Sequence, residues 1–283
     1  MNAEQQQSLF EKDATDPLTT RERIAELAER GATFFVNSSA GKDSQAMLLH
    51  LRDIVPHAQI IVIHAILPDI EWDGVLEHLK DTIFDHPLLT CQSARNLLDK
   101  VRERGMFPSP AMRWCTSDHK TSQLEKLIRH TGKKLIVNCM GMRAEESPNR
   151  AKLVDFKFSE KNSKAGREWY DWLPIHDWLE PEVFAKIATA GQKPHWAYSK
   201  GMSRLSCCFC IMSNKADLTT AARLKPELYK TYVDLEKEIG QVMMMPSKSG
   251  GRLKLLTLED ITGIRVGEAP EPIPAPEEFE LSN

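Results

Sequence analysis

The sequence of 283 residues predicts an α/β fold: a doubly wound parallel sheet with a helical C-terminal extension. Three apolar runs of strand length carry this prediction, at residues 33–37, 58–66 and 134–140. Segments in which apolar residues recur at helical spacing separate these runs, as in parallel strands joined by helices. Because each run is followed by a polar loop, we expect these loops to meet at the carboxyl edge of the sheet, where ligands bind.

The remaining elements are predicted from caps, periodicity, glycine and proline. Residues 107–116 contain two prolines and predict a loop. Residues 151–170 are polar and mostly basic, and they predict a surface hairpin or loop. A solvated insertion is favoured there over a contact with a partner or with nucleic acid. Further expected elements are a strand over 88–91 and helices over 20–31, 75–84, 94–104, 121–132, 182–190 and 218–239, the last divided at Pro226.

The composition limits the functional class. A net charge of −3 argues against an autonomous nucleic-acid binder, and an apolar content of 41% suffices for a core. No apolar run has the length of a membrane span, and the polar start MNAEQQQ is not typical of a signal peptide. We therefore expect a cytoplasmic protein without a membrane partner. The six cysteines are expected to be thiols or ligands rather than disulfides.

The loop after the first strand has the chemistry of an anion site. The start of the following helix leaves backbone N–H groups free, and its dipole favours negative charge. Lys42 adds a full positive charge, and Ser38, Ser39 and Ser44 add hydroxyl donors. The loop lacks the spacing of a Walker A motif, and Asp43 follows the lysine, where a carboxylate suits a metal that accompanies pyrophosphate.

Residues 39–44 (SAGKDS) resemble the SGGKDS pyrophosphate loop of the superfamily of ATP pyrophosphatases and phosphoadenylylsulfate (PAPS) reductases, with Ala40 in place of glycine. Residues 141–150 (GMRAEESPNR) resemble its GxRxxES…R segment, and residues 171–178 resemble its PLxDW segment. The resemblance implies an adenine nucleotide alpha-hydrolase-like fold, with ATP and Mg²⁺ as cofactors. It implies catalytic roles for Lys42, Asp43 and Arg143, and nucleotide binding by Ser38, Ser39, Ala40, Gly41, Lys42, Asp43, Ser44, Gly141, Arg143, Glu146 and Arg150.

Two acidic residues follow the second predicted strand. Asp69 and Glu71 are placed near the nucleotide by the carboxyl-edge rule, and for either one a solvated loop acid is at least as good an interpretation. We expect four segments in the chain: residues 1–30 as an N-terminal helical segment, 31–215 as the PP-loop domain, 216–268 as the helical extension and 269–283 as a disordered acidic and Pro-rich tail.

A C-x-x-C motif near residue 210 predicts a metal or redox site. Cys207 and Cys210 can turn onto one metal around a tight loop, and Cys208 between them is a fourth ligand or a spare thiol. Cys115 lies in an RWCT segment that resembles the one preceding the cysteine pair in iron–sulfur members of the superfamily, which makes it the third ligand. A [4Fe–4S] cluster is favoured over zinc, to which His119 or His195 would give a nitrogen. Cys91 and Cys139 are interpreted as core thiols.

The superfamily resemblance implies two chemistries. Reductases that release sulfite from PAPS or adenylylsulfate use a C-terminal nucleophilic cysteine, and no cysteine follows Cys210 here. The preferred function is therefore hydrolysis of ATP to AMP and pyrophosphate, which adenylates an acceptor for sulfur transfer. The likeness is greatest to DNA backbone phosphorothioation proteins, and it implies a cysteine desulfurase as sulfur donor and DNA contact shared with partner subunits. Alternatives are a PAPS or adenylylsulfate reductase, a tRNA thiolase and a non-catalytic nucleotide-sensing subunit.

Overall fold

The structure is a computed structural model that describes residues 18–249 and 252–267. The predicted disordered tail, 269–283, lies outside the described residues, as does the first part of the predicted N-terminal segment. In the described part of the chain, no helix combines the length and the apolar character needed to cross a membrane.

A six-stranded sheet forms the centre of the molecule, in the order β3-β2-β1-β4-β6-β5. Five strands run parallel, and β5 at one edge runs antiparallel to β6. This topology confirms the predicted α/β class with a mainly parallel sheet. The strands are β1 (Thr33–Asn37), β2 (Ile60–Ile66), β3 (Leu88–Gln92), β4 (Leu135–Met140), β5 (Phe156–Phe158) and β6 (Glu168–Trp172), with a separate hairpin of β7 (Ser247–Ser249) and β8 (Arg252–Lys254).

The helices agree with the sequence predictions to within a few residues at most ends. α5 differs, because it begins inside the predicted 107–116 loop and continues through a π-helical turn, Ser117–Thr121, into α6. The helices are α1 (Thr20–Glu29), α2 (Lys42–Ile54), α3 (Val75–Thr82), α4 (Leu97–Arg104), α5 (Trp114–Thr116), α6 (Ser122–His130), α7 (Pro148–Ala151), α8 (Glu180–Thr189), α9 (Lys215–Leu224), α10 (Pro226–Ile239) and α11 (Leu258–Thr262).

The sheet is covered on both faces, as alternation along β1 requires. Phe34 points into the large core that also contains Met47 of α2, whereas Phe35 points into a smaller core with Ile128 of α6. The C-terminal helices α9, α10 and α11 contribute to the large core. There the buried carboxylate of Glu236 accepts the N–H groups of Met243 and Leu258, at 2.8 and 2.9 Å, and ties the extension together.

The prediction for residues 151–170 is wrong in one respect. The segment does form a hairpin, but that hairpin supplies two strands of the main sheet rather than a surface insertion. Trp169 of β6 is fully buried in the smaller core, and β6 lies beside the central strand β4. Charged residues before β6 dominate the sequence pattern, while the strand needs only its alternate residues to be buried.

Candidate functional site

The loop of residues 38–44, here called the phosphate loop, joins β1 to α2 at the carboxyl edge of the sheet. Its hydroxyls bond within the loop: Ser38 Oγ donates to Ser44 Oγ at 3.1 Å, and Ser44 Oγ donates to the carbonyl of Gly41 at 2.9 Å. The N–H of Ser39 donates to Ser44 Oγ and that of Ala40 donates to Ser38 Oγ, both at 3.3 Å. These two distances exceed the usual 2.9–3.0 Å, so a stronger acceptor can replace the serines.

Ala40, where the family resemblance places glycine, has φ +61° and is 1% exposed. Left-handed backbone is a conformation that glycine adopts freely and alanine adopts at a cost of about 1 kcal/mol or more. The loop therefore keeps the glycine-like turn with an alanine, and the methyl group lies in the large core.

Lys42 begins α2, and its side chain is 4% exposed. Its ammonium lies 3.1 Å from a Glu180 oxygen and 3.3 Å from an Asp43 oxygen, and it donates to the carbonyl of Ser203 at 3.4 Å. Burial lowers the pKa of Lys42, but the carboxylates of Asp43 and Glu180 raise it by more, so the net pKa lies above its usual value. The site therefore holds a charged lysine in a mostly enclosed position.

Arg143 follows β4 and packs against the start of α2. Its Nε donates to an Asp43 oxygen at 2.7 Å, and its Nη1 lies 3.0 Å from a Glu145 oxygen. Burial lowers the pKa of Arg143, and these two carboxylates more than reverse the effect. Gly141 permits this packing, because a Cβ there would lie 3.1 Å from the carbonyl oxygen of Asp43. The predicted catalytic residues Lys42, Asp43 and Arg143 are thus brought together.

The other predicted nucleotide ligands lie further out. Glu146 accepts the N–H of Arg143 at 2.9 Å and forms an ion pair with Arg150, so both shape the segment after β4. Asp69 is exposed, has φ +67° and accepts a hydrogen bond from Asn96 at 3.2 Å. The described contacts do not join Asp69 to the phosphate loop.

Sequence reasoning missed His64, which lies in the apolar run of β2. Its Nδ1 is 2.8 Å from the carbonyl of Ser38, and its Nε2 is 3.5 Å from a Glu71 oxygen. The imidazole is 2% exposed and lies behind the phosphate loop. A polar residue in a continuous apolar run was the available signal, since a buried polar group needs a partner.

Residues 201–214 form a second loop, here called the cysteine loop, which reaches the phosphate loop. The Tyr198 hydroxyl accepts the N–H of Lys42 at 3.0 Å and the N–H of Leu205 at 3.2 Å. On the other side of the loop, the buried carboxylate of Asp217 accepts the N–H of Ser203 at 2.8 Å and its hydroxyl at 2.7 Å. Tyr198 and Asp217 carry no sequence motif, and only the fold identifies them.

Three of the predicted metal ligands, Cys115, Cys207 and Cys210, lie near enough to interact electrostatically. Burial raises the pKa of Cys207 to about 11, Lys120 opposes this, and the Cys210 and Cys115 thiols add to it. Cys207 and Cys210 come from the C-x-x-C motif, Cys115 from α5 and Lys120 from the π-helical turn after it, so the fold brings near each other two segments that are some ninety residues apart. Beneath them the hydroxyl of Tyr232 is buried without a partner in the described residues.

The fourth predicted cysteine ligand has different surroundings. Cys208 is fully buried in the large core, and its N–H donates to the carbonyl of Ile70 at 2.8 Å. Burial raises the pKa of Cys208 to about 12, and its strongest charged neighbour is Lys225. Cys139 is fully buried, and Cys91 on β3 is partly buried, as expected of core thiols.

The two histidines considered for zinc differ. His195 uses both nitrogens, since Nδ1 accepts the N–H of Ala197 at 3.2 Å and Nε2 lies 3.2 Å from the carbonyl of Asp73. His119 is buried, and its Nε2 has no partner in the described residues. The donor chemistry of three thiols suits iron or zinc. Within the described residues, however, no three His, Cys, Asp or Glu side chains are arranged to hold a metal ion.

Comparison with known proteins identifies relatives. A family model described as the phosphoadenosine phosphosulfate reductase domain matches residues 33–213. An uncharacterized 37.8 kDa protein of Escherichia phage 186 is 27% identical over 177 residues, which cover 58% of this chain and 52% of that protein. An uncharacterized protein of Methanocaldococcus jannaschii is 26% identical over 203 residues, 71% of this chain and 47% of that protein. The chain thus spans about half the length of these curated relatives.

Two solved structures are also similar. The PAPS reductase of Candida auris, in a phosphate complex, has a TM-score of 0.44 and 10% identity, over 68% of this chain and 97% of that one. The FMN adenylyltransferase of Candida glabrata, with FMN and the ATP analogue AMPCPP, has a TM-score of 0.40 and 11% identity, over 66% of this chain and 62% of that one.

Proposed function

The chain belongs to the phosphoadenosine phosphosulfate reductase domain family, and on that premise we propose that it binds ATP at the phosphate loop and releases pyrophosphate. The AMP moiety is transferred to an oxygen of an acceptor, which sulfur then replaces. The family predicted from residues 39–44 and 141–150 is confirmed by the match. The closer likeness to DNA phosphorothioation proteins stays a prediction.

One observation carries the proposal: a buried, charged Lys42 lies at the start of α2, beside loop N–H groups that only weakly bond to serine hydroxyls. A phosphate oxygen is a better acceptor than a hydroxyl, because it is charged. It would also meet the positive end of the helix dipole. The donors are fixed before the charge develops on the leaving pyrophosphate, which is the arrangement that stabilises a transition state.

Asp43 and Arg143 have positioning roles in this proposal. Both Asp43 oxygens face cations, Arg143 Nε at 2.7 Å and Lys42 Nζ at 3.3 Å. A carboxylate has about four lone-pair sites, so Asp43 could bind a Mg²⁺ ion with the sites that these two cations leave open. When bound, Mg²⁺ would neutralise phosphate charge. The lysine and arginine perform the same task from the protein side.

Sulfur transfer rests on the thiols of Cys115, Cys207 and Cys210, which interact with one another beside Glu71, the ion-pair partner of His64 behind the phosphate loop. They would hold the [4Fe–4S] cluster or, alternatively, zinc, and the cluster would supply the chemistry of sulfur transfer. The proposed acceptor is an oxygen of the DNA backbone, with a cysteine desulfurase as the sulfur source and partner subunits sharing the DNA contact.

The test is release of pyrophosphate from ATP by the purified chain, supplied with DNA and a cysteine desulfurase. Lys42→Ala should lower the rate by at least a hundredfold, because loss of one charged contact to a transferring phosphate costs several kcal/mol. Lys237→Ala, which changes an exposed side chain of α10, is the matched control and should keep the wild-type rate. An unchanged rate in Lys42→Ala would refute the assignment, whereas ATP binding without turnover would support the nucleotide-sensing alternative.

A second function, sulfonucleotide reduction, is favoured by membership of the phosphoadenosine phosphosulfate reductase domain family. It would place PAPS on the same loop and require a thiolate nucleophile. Thioredoxin-dependent sulfite release from PAPS or adenylylsulfate separates the two functions. The first proposal expects none, and sulfite release that is lost in Cys207→Ser or Cys210→Ser would assign the nucleophile to the cysteine loop.

A further inference from the structure

The Tyr198 hydroxyl belongs to neither loop and bonds to both, to the phosphate loop at Lys42 and to the cysteine loop at Leu205. Tyr198 lies in a short 3₁₀ helix, Trp196–Lys200. That helix is fixed from below, because Trp196 Nε1 donates to the carbonyl of Asp73 at 2.8 Å. The ring therefore has a defined position at the mouth of the phosphate loop.

The Tyr198 hydroxyl accepts hydrogen bonds but donates none in the described part of the chain. A phenol oxygen has two lone pairs and one hydrogen. Both lone pairs are used, by the N–H groups of Lys42 and Leu205. Among the described residues no oxygen or nitrogen accepts the hydrogen. Burial raises the pKa of Tyr198, so the hydroxyl keeps that hydrogen at neutral pH.

The surroundings indicate what this hydrogen meets. A Cβ at Gly41 would lie 3.3 Å from the Tyr198 oxygen, so the hydroxyl is in contact with the turn of the loop. The ammonium of Lys42 lies 5.6 Å from the ring centroid, on the same side of the site. An anion held by the loop N–H groups and by Lys42 would therefore be a neighbour of the hydroxyl.

We propose that Tyr198 is a phosphate-binding residue: its oxygen holds the two loops together while its O–H donates to an oxygen of the pyrophosphate group. This inference rests on the proposed function and adds a substrate contact that carries no sequence motif. It also explains why a tyrosine is used, since phenylalanine would leave two loop N–H groups without an acceptor.

Calorimetric titration with inorganic pyrophosphate tests the contact. Tyr198→Phe should weaken pyrophosphate and ATP binding by about tenfold or more, as expected for a lost hydrogen bond to a charged group. Binding of AMP, which lacks the β and γ phosphates, should change by less than twofold. Tyr170→Phe, which removes a hydroxyl that donates to Glu168 on β6, is the matched control and should bind like the wild type.

A ring-fluorinated tyrosine at position 198 separates the donor role from loop support, because fluorine makes the hydroxyl a better donor and a poorer acceptor. Tighter pyrophosphate binding at neutral pH supports the donor role. Weaker or unchanged binding, or wild-type affinity in Tyr198→Phe, overturns it while the proposed function stands. Thermal unfolding checks that Tyr198→Phe remains folded. If the wild-type chain binds neither pyrophosphate nor ATP, the proposed function fails and this inference fails with it.

Discussion

The phosphate loop and the cysteine loop lie side by side and are stabilised in different ways. The phosphate loop is held from within, by serine hydroxyls that bond to groups no more than six residues away. The cysteine loop also has bonds of its own, such as that from the Ser213 N–H to the Cys210 carbonyl, but it is tied to the fold by the Asp217 carboxylate, the Tyr198 hydroxyl and the carbonyl of Ile70. The phosphate loop also receives bonds from His64, Arg143 and Tyr198, so the two loops differ in how much the side chains within each loop contribute to its shape.

The difference suits the proposed tasks of the two loops. A transferring phosphate needs donors that are fixed before reaction. Thiols that bind a metal need room to move from a protonated pair to a coordinated set, and metal binding then contributes to folding. Each of the following experiments changes a side chain that belongs to one of the two loops or supports it.

The largest effect is expected in the cysteine loop itself. Cys115→Ser, Cys207→Ser and Cys210→Ser should each lose the metal, since three ligands leave little redundancy. Anaerobically purified wild-type chain should contain about four irons for the cluster and a brown charge-transfer absorption. Metal analysis and absorption spectra measure both.

Cys91→Ser is the control for this loss, because that thiol lies on β3, where its Sγ is 3.8 Å from the carbonyl of His64. It should retain the metal. Stoichiometric zinc without iron would replace the cluster by a zinc site. Iron retained by Cys115→Ser would show that the third ligand is another residue.

Asp217→Asn should destabilise the chain by about 4 kcal/mol. The carboxylate is 1% exposed and accepts two bonds from Ser203, and each bond to a buried charge contributes roughly 1.5–3 kcal/mol. The NH₂ group of the asparagine would face either the N–H or the hydroxyl of Ser203, so that two donors would oppose each other. Urea unfolding gives the free energy of unfolding of both proteins.

Asp234→Asn makes the same chemical change at an exposed ion pair with Lys230 on α10, and it should change the free energy of unfolding far less, because surface ion pairs contribute little. A similar small cost at Asp217 would mean that the cysteine loop does not depend on this anchor. Because Ser203 also accepts a bond from Lys42, pyrophosphate binding should weaken in Asp217→Asn and stay unchanged in Asp234→Asn.

Sequence reasoning succeeds for features that neighbouring residues of the chain form. Residues 38–44, the strands β1, β2 and β4, and the division of the C-terminal helices at Pro226 follow from local patterns and were predicted. In each case the residues that form the feature are neighbours in the chain. The phosphate loop in particular has serine hydroxyls that bond to its own backbone.

The rest depends on contacts between distant residues. Lys42 and its partner Tyr198 are 156 residues apart, and no periodicity links them. The strand β6 was missed because the charged residues before it mask an alternation that ends on Trp172. The spacing of the cysteines predicts Cys208 as a metal ligand together with Cys207 and Cys210. In the fold it packs instead as an apolar residue in the large core, beside Ile70.

His195 anchors the helix of residues 196–200, which carries Tyr198. Its lowered pKa predicts that the free energy of unfolding depends on pH, by about 3 kcal/mol in total. Burial lowers its pKa from 6.5 to about 4, and the neighbouring His78 adds to the shift. As the pH falls below 6.5, His195 binds a proton in the unfolded chain but stays neutral in the folded chain. The free energy of unfolding therefore decreases between pH 6.5 and pH 4, by 1.4 kcal/mol per pH unit at most from this group.

His195→Gln should remove that part of the pH dependence while it lowers stability at pH 7. The matched control is His130→Gln on α6, where the imidazole is exposed, and its pH profile should parallel the wild type. Urea unfolding between pH 7 and pH 4.5 measures the slopes. If His195→Gln keeps the full wild-type slope, the histidine is not buried in its neutral form.

The smallest effect concerns the strain in the phosphate loop. Ala40→Gly relieves a left-handed alanine, a gain of about 1–2 kcal/mol. It also removes a buried methyl group, about 0.8 kcal/mol, and adds about 0.5–1 kcal/mol of backbone entropy to the unfolded chain. These terms nearly cancel, so the free energy of unfolding should change by less than about 0.5 kcal/mol. Ala40→Val, which adds bulk in the same conformation, should cost about 2 kcal/mol or more. A large loss in Ala40→Gly would show that the methyl group, and not the serine hydroxyls, maintains the shape of the loop.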